Sequence, residues 1–264
     1  MMRGEGIGRG ILAALAVMLP VILPGAAWAG TMGDLAFTQR QGANVPLDAR
    51  FTDTAGRTLP LGAFVGGHPA ILSIGYYACP NLCALEREDL LHALDGSGLK
   101  TPDDYTLIVV SIDPAETEAV ARRARQDDLD RHATPGAERG WHFLVGEAAS
   151  IGRLADAVGF HARYDPGLKQ YLHPMGLVFT TPAGMVSGYV LGVGYRAGDV
   201  RQALARAAAG QRAEASPVLL LCFHYDAATG RYTLAVRKLL RLGAVMTVLV
   251  LGTLLGMAHW RRVR

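Results

Sequence analysis

The chain has 264 residues, of which 50% are hydrophobic and 19% charged, a balance that supports a real core and excludes a disordered chain. A net charge of +3, with no run of five basic residues, excludes a nucleic-acid binder built on electrostatics. Mean hydropathy is +0.21, high for a wholly soluble protein, and the apolar excess sits at the two ends.

The first end reads as a signal peptide over residues 1–29. Arg3 and Arg9 precede an apolar run from Ile11 to Leu23, and Ala27-Trp28-Ala29 offers a small-residue cleavage site before Gly30. Pro20 and Pro24 interrupt the run, and it is shorter than the roughly 20 residues a membrane span needs.

Between Gly30 and Lys238 no repeat or low-complexity tract is visible, and strand-like and helix-like segments alternate. Residues Val45–Ala63, with Asp53, Gly56 and Pro60, predict an added hairpin. Ala70–Tyr76 predicts a buried strand, and Leu82–Leu94 a helix that stops at Asp95-Gly96. Tyr105–Ile112 predicts a second strand ended by Asp113-Pro114, and Thr117–His132 a charged helix. A strand over Trp141–Val145 and a helix over Ala148–Val158 follow. Met175–Phe179 and Val186–Val190 flank Thr180–Gly184, which reads as a hairpin turn. A last helix covers Val200–Ala209. This order predicts an α/β fold: a parallel sheet with an antiparallel hairpin appended, covered by helices, an arrangement similar to a thioredoxin-like sheet. The domain is expected to span residues 30–215.

Residues 216–238 read as a juxtamembrane extension, residues 239–260 as a transmembrane helix and residues 261–264 as a cytoplasmic tail. From Leu242 to Trp260 there is no Asp, Glu, Lys or Arg, a length of about 28 Å as a helix. Arg237, Lys238 and Arg241 precede it, Arg261, Arg262 and Arg264 follow, and Trp260 stands where an interfacial aromatic belongs. With the signal peptide, this places the domain on the periplasmic side of a bacterial inner membrane and the C-terminus in the cytoplasm.

The chemistry concentrates in Cys79-Pro80-Asn81-Leu82-Cys83, directly after the first central strand and at the opening of a helix. Spacing of four on a helix puts both sulfurs on one face, and a helix N-terminus favours thiolate. Such a pair oxidises to a disulfide or binds a soft metal. A structural disulfide is the plain alternative, but a bridge over four residues closes a very short loop and stabilises little.

Of the eight histidines, His92 and His132 lie on charged helices and are expected to be solvated, and His142 is expected at a core edge. His173, in Gln170-Tyr171-Leu172-His173-Pro174, lies on the loop entering the hairpin strand. In a thioredoxin-like sheet that loop faces the cysteine pair. Two thiolates and an imidazole suit copper, as Cu(I) through sulfur and as Cu(II) with the help of nitrogen; a zinc site is the second metal reading, though no fourth ligand stands out. Cys222, beside His224 in an apolar run, reads as a buried small side chain, with an extra metal site as the alternative.

Gly75–Cys83, Val110-Ser111-Ile112-Asp113-Pro114 and His173 together resemble the Sco/SenC family of copper-binding assembly factors for cytochrome c oxidase, over roughly Phe51–Ala209. The resemblance implies Cys79, Cys83 and His173 as copper ligands, Asp113 as a strand-end aspartate near the metal, and the copper-binding subunit of cytochrome c oxidase as partner. The chain departs from the family pattern at Asn81, Ala84 and Pro174 and in its C-terminal anchor, like a divergent branch. The function expected is that of a non-catalytic, membrane-tethered copper chaperone. The alternative is a thiol–disulfide oxidoreductase that keeps a partner's cysteines reduced, itself served by a thioredoxin-like reductant. A thiol peroxidase lacks support, since no Thr and Arg flank Cys79.

Overall fold

The computed structural model describes residues 37–79, 83–132 and 134–214, with the short stretches 225–226, 231–232, 243–249, 251–253, 256–257 and 260. The signal peptide expected over residues 1–29, Cys222 and His224 lie outside the described residues.

Strands β1 (Arg50–Thr52) and β2 (Thr58–Pro60) form the added hairpin, antiparallel with Phe51 opposite Leu59. Its turn is closed by Asp53, whose Oδ1 accepts the N–H groups of Ala55 and Arg57. Gly56, at φ 79°, takes the left-handed position there. The hairpin is shorter than the sequence predicts, because Leu61–Val65 is a helix (α1) that buries Leu61, Phe64 and Val65.

The central sheet has β3 (Ala70–Gly75), β4 (Thr106–Ser111), β5 (Trp141–Leu144), β8 (Gly176–Thr180) and β9 (Val186–Leu191), in the order β5-β4-β3-β8-β9. Strands β3, β4 and β5 are parallel, and β8 runs antiparallel to both β3 and β9. Between them lie helices α2 (Cys83–Asp95), α3 (Glu118–Arg131), α4 (Ala137–Gly140) and α5 (Ala148–Ala157), with α6 (Ala197–Ala208) after β9. This is the mixed sheet of a thioredoxin-like fold.

Two layers of core explain why β3 and β4 are unbroken apolar runs rather than alternating ones. Leu72, Ile74, Ile108 and Val110 pack on one face with Phe51, Phe64, Ile151 and Leu154; Ile71, Leu107 and Val109 pack on the other with Leu90, Leu94, Phe143 and Leu204. Successive side chains of a strand point to opposite faces, so both faces need apolar residues. Each fully buried Leu or Phe contributes about 1.5–3 kcal/mol by leaving water.

A second small hairpin, β6 (Arg163–Asp165) with β7 (Gln170–Leu172), was not expected from the sequence. It carries the chain into His173. Beyond the domain, β10 (Tyr225–Asp226) pairs with β11 (Arg231–Tyr232). In the segment expected to span a membrane, residues 243–249 and 251–253 are helical and expose Met246, Leu249 and Leu251. Among the described residues no helix is long and apolar enough to cross a membrane.

Candidate functional site

The parallel strands deliver the site. Register aligns Gly75 with Ser111, and Ile112 N–H donates to the Gly75 carbonyl at 2.7 Å, so the ends of β3 and β4 lie side by side. The next two residues fasten the chain to both faces. Tyr76 turns to one face, its ring 5.8 Å from Tyr171 and 5.9 Å from His173. Tyr77 turns to the other, stacks on Phe143 at 5.9 Å, and its hydroxyl lies 3.0 Å from the carbonyls of Val109 and Leu144. Burial pushes the Tyr77 phenol well above its ordinary value and raises that of Tyr76.

Cys79 therefore stands in a turn just beyond the sheet, ahead of the helix rather than on it. Helix α2 is described from Cys83, and residues 80–82 lie outside the described residues. Glu116 fixes the chain just ahead of Cys79. Its carboxyl group accepts the N–H of Tyr77 at 2.9 Å, the N–H of Ala78 at 2.6 Å and the Ser111 hydroxyl at 2.6 Å. Those two amides are thus held in a turn before the cysteine. Cys79 is disulfide-bonded and packs partly buried against the Tyr76 core layer. The side chain of Cys83 lies outside the described residues.

His173 is placed by the second small hairpin and by β8. Its ring lies over the end of β3: a Cβ on Gly75 would meet Cε1 at 3.6 Å. Phe160 flanks it at 5.8 Å between ring centroids. Nδ1 is 3.0 Å from the Pro174 carbonyl. A carbonyl only accepts, so the proton is on Nδ1 and the lone pair on Nε2. Burial lowers its pKa, which keeps the imidazole neutral, the form that ligates metals. The structure thus brings His173 to the end of the strand that leads into Cys79.

Asp113 sits at the end of β4, and its charge adds to the raised pKa values of Tyr76 and Tyr171. Its Oδ1 accepts the Ala115 N–H at 2.9 Å. The carboxyl group that grips the cysteine turn is the neighbouring one, Glu116, which the sequence did not single out. Asp-Pro-x-Glu after a buried strand is the signal that marks it.

Glu86 is a further residue the sequence did not reveal. On the first turn of α2 it is buried, and burial pushes its carboxyl up to about 8. Its Oε1 accepts the Gly176 N–H at 2.8 Å and lies 3.1 Å from the Tyr195 hydroxyl. It ties the cysteine helix to β8, three residues after His173. A small cleft between the end of β3 and α2 is lined by Ser73, Gly75, Tyr76, Glu86 and Arg87.

Two histidine readings resolve differently. His142 is half-buried at the core edge, as expected, and burial pushes its pKa down to about 4. His132 is a correction: it is buried at 6% exposure, not solvated. It caps α3 with extended backbone, which turns the ring inward onto Asp95 of α2, 2.8 Å from Nδ1.

The SCO1/SenC family model matches residues 38–208, the whole sheet and its helices. The chain belongs to the SCO1/SenC family. No curated protein matches the sequence significantly. Among solved structures, a proposed electron transfer protein from Aquifex aeolicus VF5 is 25% identical, with a TM-score of 0.57, over 65% of this chain and 96% of its own. Arabidopsis thaliana ScoI with copper bound is 14% identical, with a TM-score of 0.51, over 65% of this chain and 99% of its own. BsSco, described as a member of the Sco family of cytochrome c oxidase assembly proteins with a disulfide switch, is 16% identical, with a TM-score of 0.50, over 64% and 96%. At 14% and 16% identity the likeness is one of fold.

One prediction follows from the Glu116 clamp in this SCO1/SenC domain. Glu116→Ala removes the acceptor of two amides and a hydroxyl, and should lower unfolding stability by about 1.5–3 kcal/mol. Urea unfolding of the oxidised protein reads this as a lower midpoint at constant slope. An unchanged midpoint would show that the clamp contributes nothing.

Proposed function

We propose that this protein is a copper-binding assembly factor for cytochrome c oxidase, holding copper through Cys79, Cys83 and His173. The observation that carries the reading is the convergence on one strand end: Cys79 in a turn gripped by Glu116, and a neutral His173 imidazole packed over Gly75 of the same strand. Membership of the SCO1/SenC family supports it, as do relatives described as copper-bound and as oxidase assembly proteins. The donor set fits the metal, since thiolates favour Cu(I) and imidazole accommodates Cu(II). Asp113 is proposed as a nearby carboxylate that aids transfer.

The disulfide at Cys79 favours one further reading, a thiol–disulfide oxidoreductase acting on the oxidase subunit or another exported protein. With Cys83 as the proposed partner, opening the bridge takes two electrons and two protons from a thioredoxin-like dithiol, which leaves as its own disulfide. The two readings meet in one cycle, because only the reduced pair offers thiolates to copper.

The test is copper content of the full-length, detergent-solubilised protein under reducing conditions. One copper per chain is expected, and Cys79→Ala should abolish tight binding, since one thiolate and one imidazole remain. Full occupancy in that variant would overturn the ligand assignment.

The tether is proposed with it: cleavage after Ala29, residues 239–260 spanning the inner membrane, the domain periplasmic and the C-terminus cytoplasmic. The exposed Met246, Leu249 and Trp260 support a lipid-facing segment. Truncation after Arg237 should move the protein from the membrane fraction to the soluble one. An active periplasmic reporter fused after Arg264 would overturn the orientation.

A further inference from the structure

At the far end of α2 from the cysteines, three side chains share one helix face. Glu88, His92 and Asp95 follow spacings of four and three, so they stack above one another. His132, at the C-terminus of α3, faces them from the neighbouring helix. Its Nδ1 lies 2.8 Å from Asp95 Oδ2, and Thr134 Oγ1 donates to the other oxygen of that carboxylate at 2.5 Å. With Nδ1–H given to Asp95, the neutral ring carries its lone pair on Nε2. That atom is buried and has no hydrogen-bond partner; its side chain is 2% exposed. The group it faces, Glu88 Oε1 at 3.6 Å, is itself an acceptor. A lone pair set against a carboxylate oxygen requires a positive centre between them.

A proton is the simpler centre, but it gives no role to the second imidazole. The His92 ring stands edge-on to His132, at 5.5 Å and 90°, with its Nε2 3.9 Å from the same Glu88 oxygen. One donor atom from each of His92, Asp95 and His132 lies within 4.8 Å of the others. Bonds of about 2.0–2.2 Å to a tetrahedral ion set its ligands roughly 3.3–3.6 Å apart, close to the 3.6 and 3.9 Å that separate Nε2 of His132 and of His92 from Glu88 Oε1. A carboxylate on the remote nitrogen of a histidine is also how metal-ligating imidazoles are oriented.

We propose that His92, His132 and Glu88, with Asp95 orienting His132 from its other ring nitrogen, form a second metal site for a divalent ion of the zinc type. Two imidazoles and carboxylate oxygen, with no sulfur, suit a divalent ion of borderline softness and not Cu(I). Arg131 reaches Glu88 through the other oxygen, Oε2, at 3.5 Å, which leaves Oε1 to the ion. The site is distinct from the cysteine pair: Cys83 and His92 are nine residues apart on one helix, about 14 Å. Occupied, it would pin the C-terminal ends of α2 and α3 together.

The test uses the full-length protein with Cys79→Ser and Cys83→Ser, which silences the cysteine site, and Zn2+ as a redox-inert probe. Equilibrium dialysis against a competing chelator should give one zinc per chain, and zinc should raise Tm by mass action. His92→Ala, whose side chain is 74% exposed and whose loss leaves the fold intact, should weaken binding at least tenfold and abolish the Tm shift. Glu88→Gln should weaken it as well. No zinc uptake by the parent, or uptake that His92→Ala leaves unchanged, overturns the site.

Discussion

Between pH 6.5 and 8 the folded protein should lose about 1.5–2 kcal/mol of stability relative to Glu86→Gln. The carboxyl of Glu86 is pushed from its ordinary 4.5 up to about 8 by burial, only partly offset by the Gly176 N–H, by Tyr195 and by Arg87. In the unfolded chain it ionises near its ordinary value. Its contribution is therefore fully present below about pH 4.5, where both states are protonated. As pH rises, the unfolded chain releases the proton first, and stability falls by up to about 1.36 kcal/mol per unit until the folded group ionises near 8. Over the whole window the loss approaches about 5 kcal/mol. Burial also depresses His142, to about 4, and lowers His173. Those groups stabilise above the unfolded imidazole value of about 6.5, and between pH 6.5 and 8 each still gains about 0.4 kcal/mol, opposite in sign to Glu86 and equal in both proteins, so the difference between wild type and Glu86→Gln isolates the carboxyl. The glutamine amide oxygen keeps the acceptor at the Oε1 position for the Gly176 N–H, and the Tyr195 hydroxyl retains the Gly192 carbonyl at 2.6 Å as its acceptor. Urea unfolding at pH 6.5, 7.2 and 8 checks it. Parallel wild-type and variant curves would show that ionisation of Glu86 is not the source.

Glu86 also shows where the sequence stops informing. An acidic residue on the first turn of a helix reads as an ordinary partner of the helix dipole. Its burial is made by Gly176 and Tyr195, which lie 90 and 109 residues away, and no local pattern carries that. The buried strands were legible for the opposite reason. Ala70–Gly75 and Thr106–Ser111 pack on both faces, and a strand buried twice must be apolar throughout. The helix over Glu118–Arg131 was read to within a residue, since Thr117 and His132 flank it in extended conformation. The β6–β7 hairpin escaped because three residues a side, none of them buried, are too few to show a periodicity, yet it is the piece that leads into His173. His173 itself was legible from its place before a hairpin strand. Glu116 was not, because in Asp-Pro-Ala-Glu it looks like the approach to a helix, and only the parallel register of β3 and β4 brings it under the Tyr77 and Ala78 amides.

His173→Ala should weaken Cu(II) binding by at least about 10–100-fold, the scale seen when even an outer partner of a metal ligand is lost. The same variant should leave thiol exchange near wild type, because exchange needs only an attacking thiolate and its resolving partner. The ring packs against Tyr76 and Phe160, so its loss also opens space at the end of β3. His173→Gln, which keeps most of that volume and can still donate to the Pro174 carbonyl, separates lost packing from lost ligation. Both variants should bind Cu(II) weakly, and the glutamine variant should unfold close to wild type. In a deletion strain at limiting copper, with protein levels matched, a copper carrier predicts that neither variant restores oxidase assembly. A reductase predicts that both restore it while Cys79→Ser fails. A folded, copper-deficient His173→Gln protein that restores assembly fully would overturn the carrier reading, because the imidazole has no part in breaking or forming a disulfide.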